Sequence, residues 1–473
     1  MKLWLTFFPL ALVLLNLMAC ATSPVNAPPP QSTSTITPPT TAPSQTENLL
    51  APDLAKYHGP QDAPNVLAAA KQTLKEHNRT LDTLSRSDLI QYGGLELAVQ
   101  HFNSAEGTFQ ILLKRDPHDI NALYSLALIS TARGNLPQTE EYLTSLLAYD
   151  PRNSSALALK GQIALSQGKT EQAETDFQQS LSSKENGEAL LGLAQIRIAG
   201  KKWKDAEGFL NRAVTLNPQD DEAYASRSLV DQKLNNWESA QEDINQAISL
   251  APQDPWHYLD RARLEWLHLY KPDDALADTA QVLQQDPQNF FGHLYRAQIL
   301  DAKNETQDAW TEYRWVLKNK PDYLYAYPPA TMLAFEYKDW KTAADLALKS
   351  AAQYPGEYAF PIIAALSYRF EGQPAKAVSI INNAAIRYPM GSSVNEIFRF
   401  LDSPSEAFAL NDMLSKEKNK ANRIRLRFYQ GCEYVYLKDI NSARAAFQSV
   451  EDNTAHNIPE IRMARQWLKD LGP

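Results

Sequence analysis

The chain is poor in cysteine: its 473 residues hold two, Cys20 and Cys432. No paired-cysteine metal spacing is therefore possible, and no framework of disulfides supports the fold. A basic excess is missing as well, because 46 Lys and Arg stand against 55 Asp and Glu for a net charge of -9. That balance excludes a broad cationic surface for nucleic acid and argues against anionic lipid headgroups as partners. Catalytic signatures are absent too, with no G-x-S-x-G and no H-E-x-x-H. Gly168-Lys169-Thr170 looks like the end of a phosphate loop, but Ile163 stands where that loop needs glycine. His257 and His268 lie eleven residues apart on one expected helix, about 16 Å at 1.5 Å per residue, too far to share an ion. No catalytic residue, cofactor site or metal site is expected, and the chain does not read as an enzyme.

What the chain does have is a beat. Prolines 117, 151, 218, 252, 287, 321, 355 and 389 fall at intervals of 34, 67, 34, 35, 34, 34 and 34 residues. With each proline taken as position 32 of a unit, position 20 is alanine at 105, 173, 206, 240, 275, 309, 343 and 377, Thr139 being the exception. Position 8 is mostly small (Gly93, Ala127, Gly161, Ala194, Ser228) and position 24 is usually bulky (Phe109, Leu143, Phe177, Leu210, Ile244). Small residues at 8 and 20 let two antiparallel helices approach, and the bulky residue fills the space beside them. The proline ends the second helix, since it lacks an N–H and clashes with a continuing turn. Gly134, Gly168, Gly200, Asn235-Asn236, Asn304 and Gly372 mark the turn between the two helices.

This period and these landmarks resemble the tetratricopeptide repeat (TPR), a helix-turn-helix unit that stacks into a solenoid. The resemblance covers roughly residues 86 to 457 and implies an all-α fold: a right-handed α-solenoid of about 10–11 repeats with a C-terminal capping helix. Units begin near 86, 120, 154, 187, 221, 255, 290, 324 and 358, giving nine repeats over 86–391 in one continuous array. The interval of 67 hides a unit one residue short that ends near Glu185, and the 35 places an extra residue at Tyr270-Lys271. Residues 392–423 form a worn repeat split at Ser403-Pro404, and 424–457 a last regular one with Gly431, Tyr434, Ala443 and Phe447 in register. Residues 458–473 carry the capping helix, and 62–84, within a lead-in spanning 54–85, read as a single helix.

The first twenty residues are of another kind. Lys2, an apolar run from Leu3 to Leu17, and Leu17-Met18-Ala19-Cys20 resemble a bacterial lipoprotein signal, with residues 1–19 removed and Cys20 lipidated by diacylglycerol and an acyl chain such as palmitate. The run is shorter than a membrane span requires. Ala21 after the cysteine, in place of Asp, implies by the same resemblance the outer membrane, facing the periplasm. Residues 20–53 then form a tether, since 21–53 hold eight Pro and eleven Ser or Thr with no charge before Glu47.

In TPR proteins the concave wall is lined by positions 2, 5, 9, 12 and 13 of the first helices. In the early units these are small or polar, such as Asn121, Ser155, Gln162 and Gln195. From residue 255 onward they become Trp256, Arg263, Trp266, Phe291, Tyr325, Phe335, Arg369 and Phe370, and residues 255–370 hold 21 of the 46 aromatics in the chain. Aromatic and Arg side chains dominate binding energy at interfaces, so these eight are the candidate partner groove. Packing between neighbouring helices is the competing use for each. Position 5 is never Lys in the regular units, which disfavours the carboxylate clamp of some TPR proteins.

Signal, tether, repeats and final helix together resemble envelope TPR lipoproteins of the new-lipoprotein-I type, although this chain has about twice as many repeats. The resemblance implies a membrane-anchored scaffold that binds a protein or peptide partner in the bacterial cell envelope. A component of a polysaccharide or pilus assembly machine is the alternative.

Overall fold

A computed structural model describes residues 50–57, 62–451 and 458–472. Every element among the described residues is helical. The expected lipidation site Cys20 and nearly all of the expected tether lie outside these residues. The chain divides into two compact units at Ala251/Pro252. Each unit has its own apolar clusters.

The first unit opens with α1 (Ala51–Leu54) and α2 (Ala63–Glu76). The expected helix over 62–84 stops at Glu76, because Asn78 turns left-handed at φ 47 and the N–H of Arg79 returns to the Leu74 carbonyl at 2.9 Å. Five hairpins follow: α3 (Arg86–Ala98) with α4 (Phe102–Arg115), α5 (Ile120–Ala132) with α6 (Leu136–Tyr149), α7 (Ser154–Ser166) with α8 (Thr170–Ser183), α9 (Gly187–Ala199) with α10 (Trp203–Leu216), and α11 (Asp221–Leu234) with α12 (Trp237–Leu250). The second unit holds α13 (Pro255–Leu267) with α14 (Pro272–Gln285), α15 (Phe290–Ala302) with α16 (Thr306–Asn319), α17 (Tyr327–Glu336) with α18 (Trp340–Gln353), and α19 (Ala359–Phe370) with α20 (Pro374–Ala385). The shorter pair α21 (Ser393–Asp402) and α22 (Ala407–Lys416) comes next, then α23 (Lys420–Tyr436), α24 (Ile440–Glu451) and the final α25 (Pro459–Asp470).

The positional rule has a direct steric cause. A Cβ built on Gly93 would stand 2.7 Å from the Phe109 ring, on Gly161 2.7 Å from Phe177, and on Gly431 2.6 Å from Phe447. The ring at position 24 thus occupies the volume that a side chain at position 8 would fill.

Two residues after most of the prolines stands a cap. Asp119, Asn153, Asp220 and Asn289 accept from the N–H three residues on at 2.9–3.1 Å, each satisfying an orphan donor of the next helix. Tyr323 cannot do this. There the chain makes a 3-10 turn over Leu324–Ala326, and the helix begins at Tyr327. The turn between paired helices needs one left-handed residue, which is Gly134, Gly168, Asn235, Asn304 or Gly372 as expected. Between α9 and α10 the expectation fails by one position: Gly200 has φ -80 and Lys201 takes the left-handed place at φ 56. At the inserted residue, Tyr270 turns at φ 56 and the Lys271 N–H bonds the Glu265 carbonyl six residues back.

A recurrent ion pair crosses several hairpins, from position 7 of the first helix to the second: Lys160 to Asp176 at 3.1 Å, Arg227 to Asp243 at 2.7 Å, Arg261 to Asp278 at 2.7 Å, and Arg296 to Glu312 at 3.1 Å. Three of these acids are nearly buried, so each pair keeps a carboxylate solvated by its own partner inside the hairpin.

Candidate partner-binding surface

The eight groove candidates all lie in the second unit, and the structure divides them. Trp256, on the first turn of α13, is 37 % exposed, and its ring meets Phe291 of α15 at 5.3 Å. Phe291 meets Phe290 at 5.3 Å, Phe290 meets Tyr323 at 5.0 Å, and Tyr323 meets Tyr325 at 5.7 Å. Tyr325 is 68 % exposed, because the uncapped 3-10 turn pushes it outward. These five rings form one continuous strip along the starts of three successive first helices. Tyr295 extends it from Phe291 at 6.4 Å, and the Lys320 ammonium stands 4.4 Å from the Phe290 ring. Arg263 is held by Asp260 at 3.0 Å beside Tyr295. Trp266 is half-buried against Ala262, Ala275 and Ile299.

Three candidates do not line an open wall. Phe335 is 0 % exposed, with Trp340 and Phe428 rings at 5.3 and 6.3 Å. Arg369 is 8 % exposed, pairs with the buried Glu433 and donates to the Leu401 carbonyl. Burial pushes the Glu433 carboxyl up to about 7, and Arg369 pulls against that. Phe370 stacks on Trp340 at 4.6 Å and meets Trp467 at 5.7 Å.

Late helices return across this wall, α23 onto Phe335 and Arg369 and α25 onto Phe370. The Arg462 guanidinium of α25 donates to both carboxylate oxygens of Glu336, 126 residues earlier, at 2.8–3.2 Å, and to Asn304 Oδ1 at 2.9 Å. Lys338 pairs with Asp470 at 2.6 Å and lies 4.5 Å from the Trp467 ring, and Tyr429 donates to Glu460 at 2.8 Å. The final helix therefore seals the faces of α17 and α19 as well as ending the stack. Burial is the main cause that raises the Glu460 and Glu336 carboxyls above their ordinary range. Sequence reasoning missed Phe290 and Tyr323, which sit at position 1 of one unit and two residues after the proline of another, outside the wall positions. The signal was the run of rings from 323 to 327 just where a capping Asp or Asn is missing.

Family models agree with the repeat over part of the chain. Tetratricopeptide repeat family models match residues 132–184 and 164–229. No curated protein sequence matches the chain. Among solved structures, PilF of Pseudomonas aeruginosa is 19% identical, covering 45% of this chain and 97% of its own, with a TM-score of 0.39. A tetratricopeptide repeat protein of Parabacteroides merdae is 14% identical over 61% of this chain and 99% of its own, with a TM-score of 0.34. PilW, a type IV pilus biogenesis factor, is 16% identical over 44% of this chain and 96% of its own, with a TM-score of 0.36. The chain is an all-α array of helical hairpins that carries tetratricopeptide repeats over residues 132–229.

Proposed function

We propose that this protein is a scaffold that binds a protein or peptide partner along the aromatic strip from Trp256 to Tyr325, and that it is not an enzyme. The observation that supports this is the strip itself: five touching rings, two of them substantially open to solvent, at consecutive helix starts. Tetratricopeptide repeats bind protein or peptide partners, and an extended segment with apolar anchors suits a row of rings of this length. The lipoprotein-like first twenty residues support a place in the bacterial envelope, with Cys20 lipidated, the tether spacing the repeats from the outer membrane, and the strip facing the periplasm.

The function test is affinity capture of the full chain from the envelope of the cells that make it, with wild type compared with Trp256→Ala/Tyr325→Ala. The proposal expects discrete proteins retained by wild type and lost by the double variant. Equal retention by both would place the partner elsewhere, and retention of a sugar polymer in place of protein would favour the assembly-machine alternative. Location is tested separately by fractionation with Cys20→Ser, which should release the protein from the membrane fraction.

A further inference from the structure

The edge of the second unit formed by residues 386–392 and 416–420 combines two features. One is protruding apolar bulk. Met390 is 93 % exposed and Ile386 83 %. Pro389 to Ser392 makes a tight turn, closed by the Ser392 N–H on the Pro389 carbonyl at 3.1 Å and by Gly391 at φ 76, so that Met390 stands at its tip. The other is charge. Residues 416–427 carry six cations and one acid, in a chain of net charge -9.

The two loops adjoin, because the Ser393 hydroxyl donates to the Glu417 carboxylate, and Arg423 donates to the Glu417 carbonyl at 2.8 Å. The one acid of the basic loop is thus engaged by Ser393, whose hydroxyl holds its carboxyl below the ordinary range. Lys416 is paired with Asp412 at 2.6 Å. Lys418, Lys420 and Arg387 are exposed and make no ion pair among the described residues. The nearest acid on the preceding loop, Glu357, is engaged by the Ala359 N–H at 3.4 Å and by Arg425 at 3.8 Å.

We propose that this edge docks on an anionic lipid surface, with Met390 and Ile386 sinking among the headgroups and Arg387, Lys418 and Lys420 meeting their phosphates. A convex tip with nearly all its apolar area exposed offers little to a flat, rigid protein face, whereas a soft interface closes around it. The local excess of cations supplies the complementary charge, each worth a modest gain near an anionic surface. The edge reverses the expectation from net charge, since local arrangement decides lipid contact. It stands independently of the N-terminal anchor.

The test uses the full chain carrying Cys20→Ser and Met390→Cys, labelled at position 390 with a polarity-sensitive fluorophore. Cys432 is fully buried with its thiol pushed up, so it does not compete for label. On phosphatidylglycerol–phosphatidylcholine vesicles the emission should shift to the blue, return with added salt, and stay unshifted on phosphatidylcholine alone. Lys418→Glu with Lys420→Glu should abolish the shift while leaving the circular dichroism spectrum unchanged, and the same dye at Tyr149→Cys should not respond. An equal shift on both vesicle types, no shift on either, or a shift without vesicles that grows with protein concentration would each overturn the proposal, the last in favour of self-association.

Discussion

Gly192→Ala and Gly208→Ala are the same substitution in neighbouring helices, and the structure assigns them opposite signs. Phe177 is fully buried between two glycines. A Cβ on Gly192 would lie 2.3, 2.4 and 2.7 Å from Cζ, Cε2 and Cε1 of the ring, while a Cβ on Gly161 would lie 2.7 Å from its Cδ1 and Cε1. Ordinary carbon contacts are about 3.5–4.0 Å, so the ring must retreat by about 1 Å, and the α7 backbone at Gly161 blocks that retreat. Overpacking of this kind costs about 1–3 kcal/mol, against a helix-propensity gain of about 1 kcal/mol for replacing glycine. The net expectation is a loss of up to about 2 kcal/mol. At Gly208, on the exposed side of α10, a Cβ would meet nothing within 4 Å, so only the propensity gain of roughly 0.5–1 kcal/mol remains. Urea denaturation of the full chain, with hydrogen exchange read over α7 to α10, measures both. Phe177→Leu in the Gly192→Ala background should recover part of the loss. A Gly192→Ala variant as stable as Gly208→Ala would refute the steric account of the repeat.

Two further outcomes follow from the second unit. Trp467→Ala removes the ring of α25 that packs near Trp340, Phe370 and Phe447, and should cost about 3–5 kcal/mol, read as early loss of exchange protection in α17, α19 and α25. Glu265 is buried with one carboxylate oxygen unpartnered; burial first, and the Asp278 carboxylate second, raise it from 4.5 to about 7. The folded state therefore holds this proton more tightly than the unfolded chain, so its contribution to stability falls as pH rises from 4.5 to about 7 and is constant above that. Glu265→Gln should be more stable than wild type by up to about 3 kcal/mol at pH 8, with the difference vanishing near pH 4, as thermal unfolding across that range would show.

The fold was legible because its cause is local and recurs. Close approach at positions 8, 20 and 24 is a constraint every hairpin meets separately, so the helices start at Arg86, Ile120, Ser154, Gly187, Asp221, Pro255 and Phe290, where the proline register places them. The late start at Tyr327 was also readable, since Tyr323 occupies a position that Asp or Asn fills elsewhere and has no acceptor to cap with. Lys201 in place of Gly200 was not, because the backbone needs one left-handed residue and the hairpin packing decides which neighbour provides it. The surface was legible only in part. Register positions name the residues on the first-helix wall, and Trp256, Phe291 and Tyr325 fall on the exposed strip. Nothing periodic announces that a helix 126 residues further on will lay Arg462 on Glu336, nor that α23 will bring Phe428 onto Phe335 and Glu433 onto Arg369.

The most direct measurement of the central claim is photo-crosslinking from position 325 in the living cell. A photoreactive side chain in place of Tyr325, 68 % exposed at the end of the ring strip, should yield a discrete crosslinked protein that disappears with Trp256→Ala. The same side chain in place of Tyr149, 63 % exposed in the first unit, should not yield it. Identical products from both positions, or a product at 325 indifferent to Trp256, would contradict the assignment of the strip as the partner-binding surface.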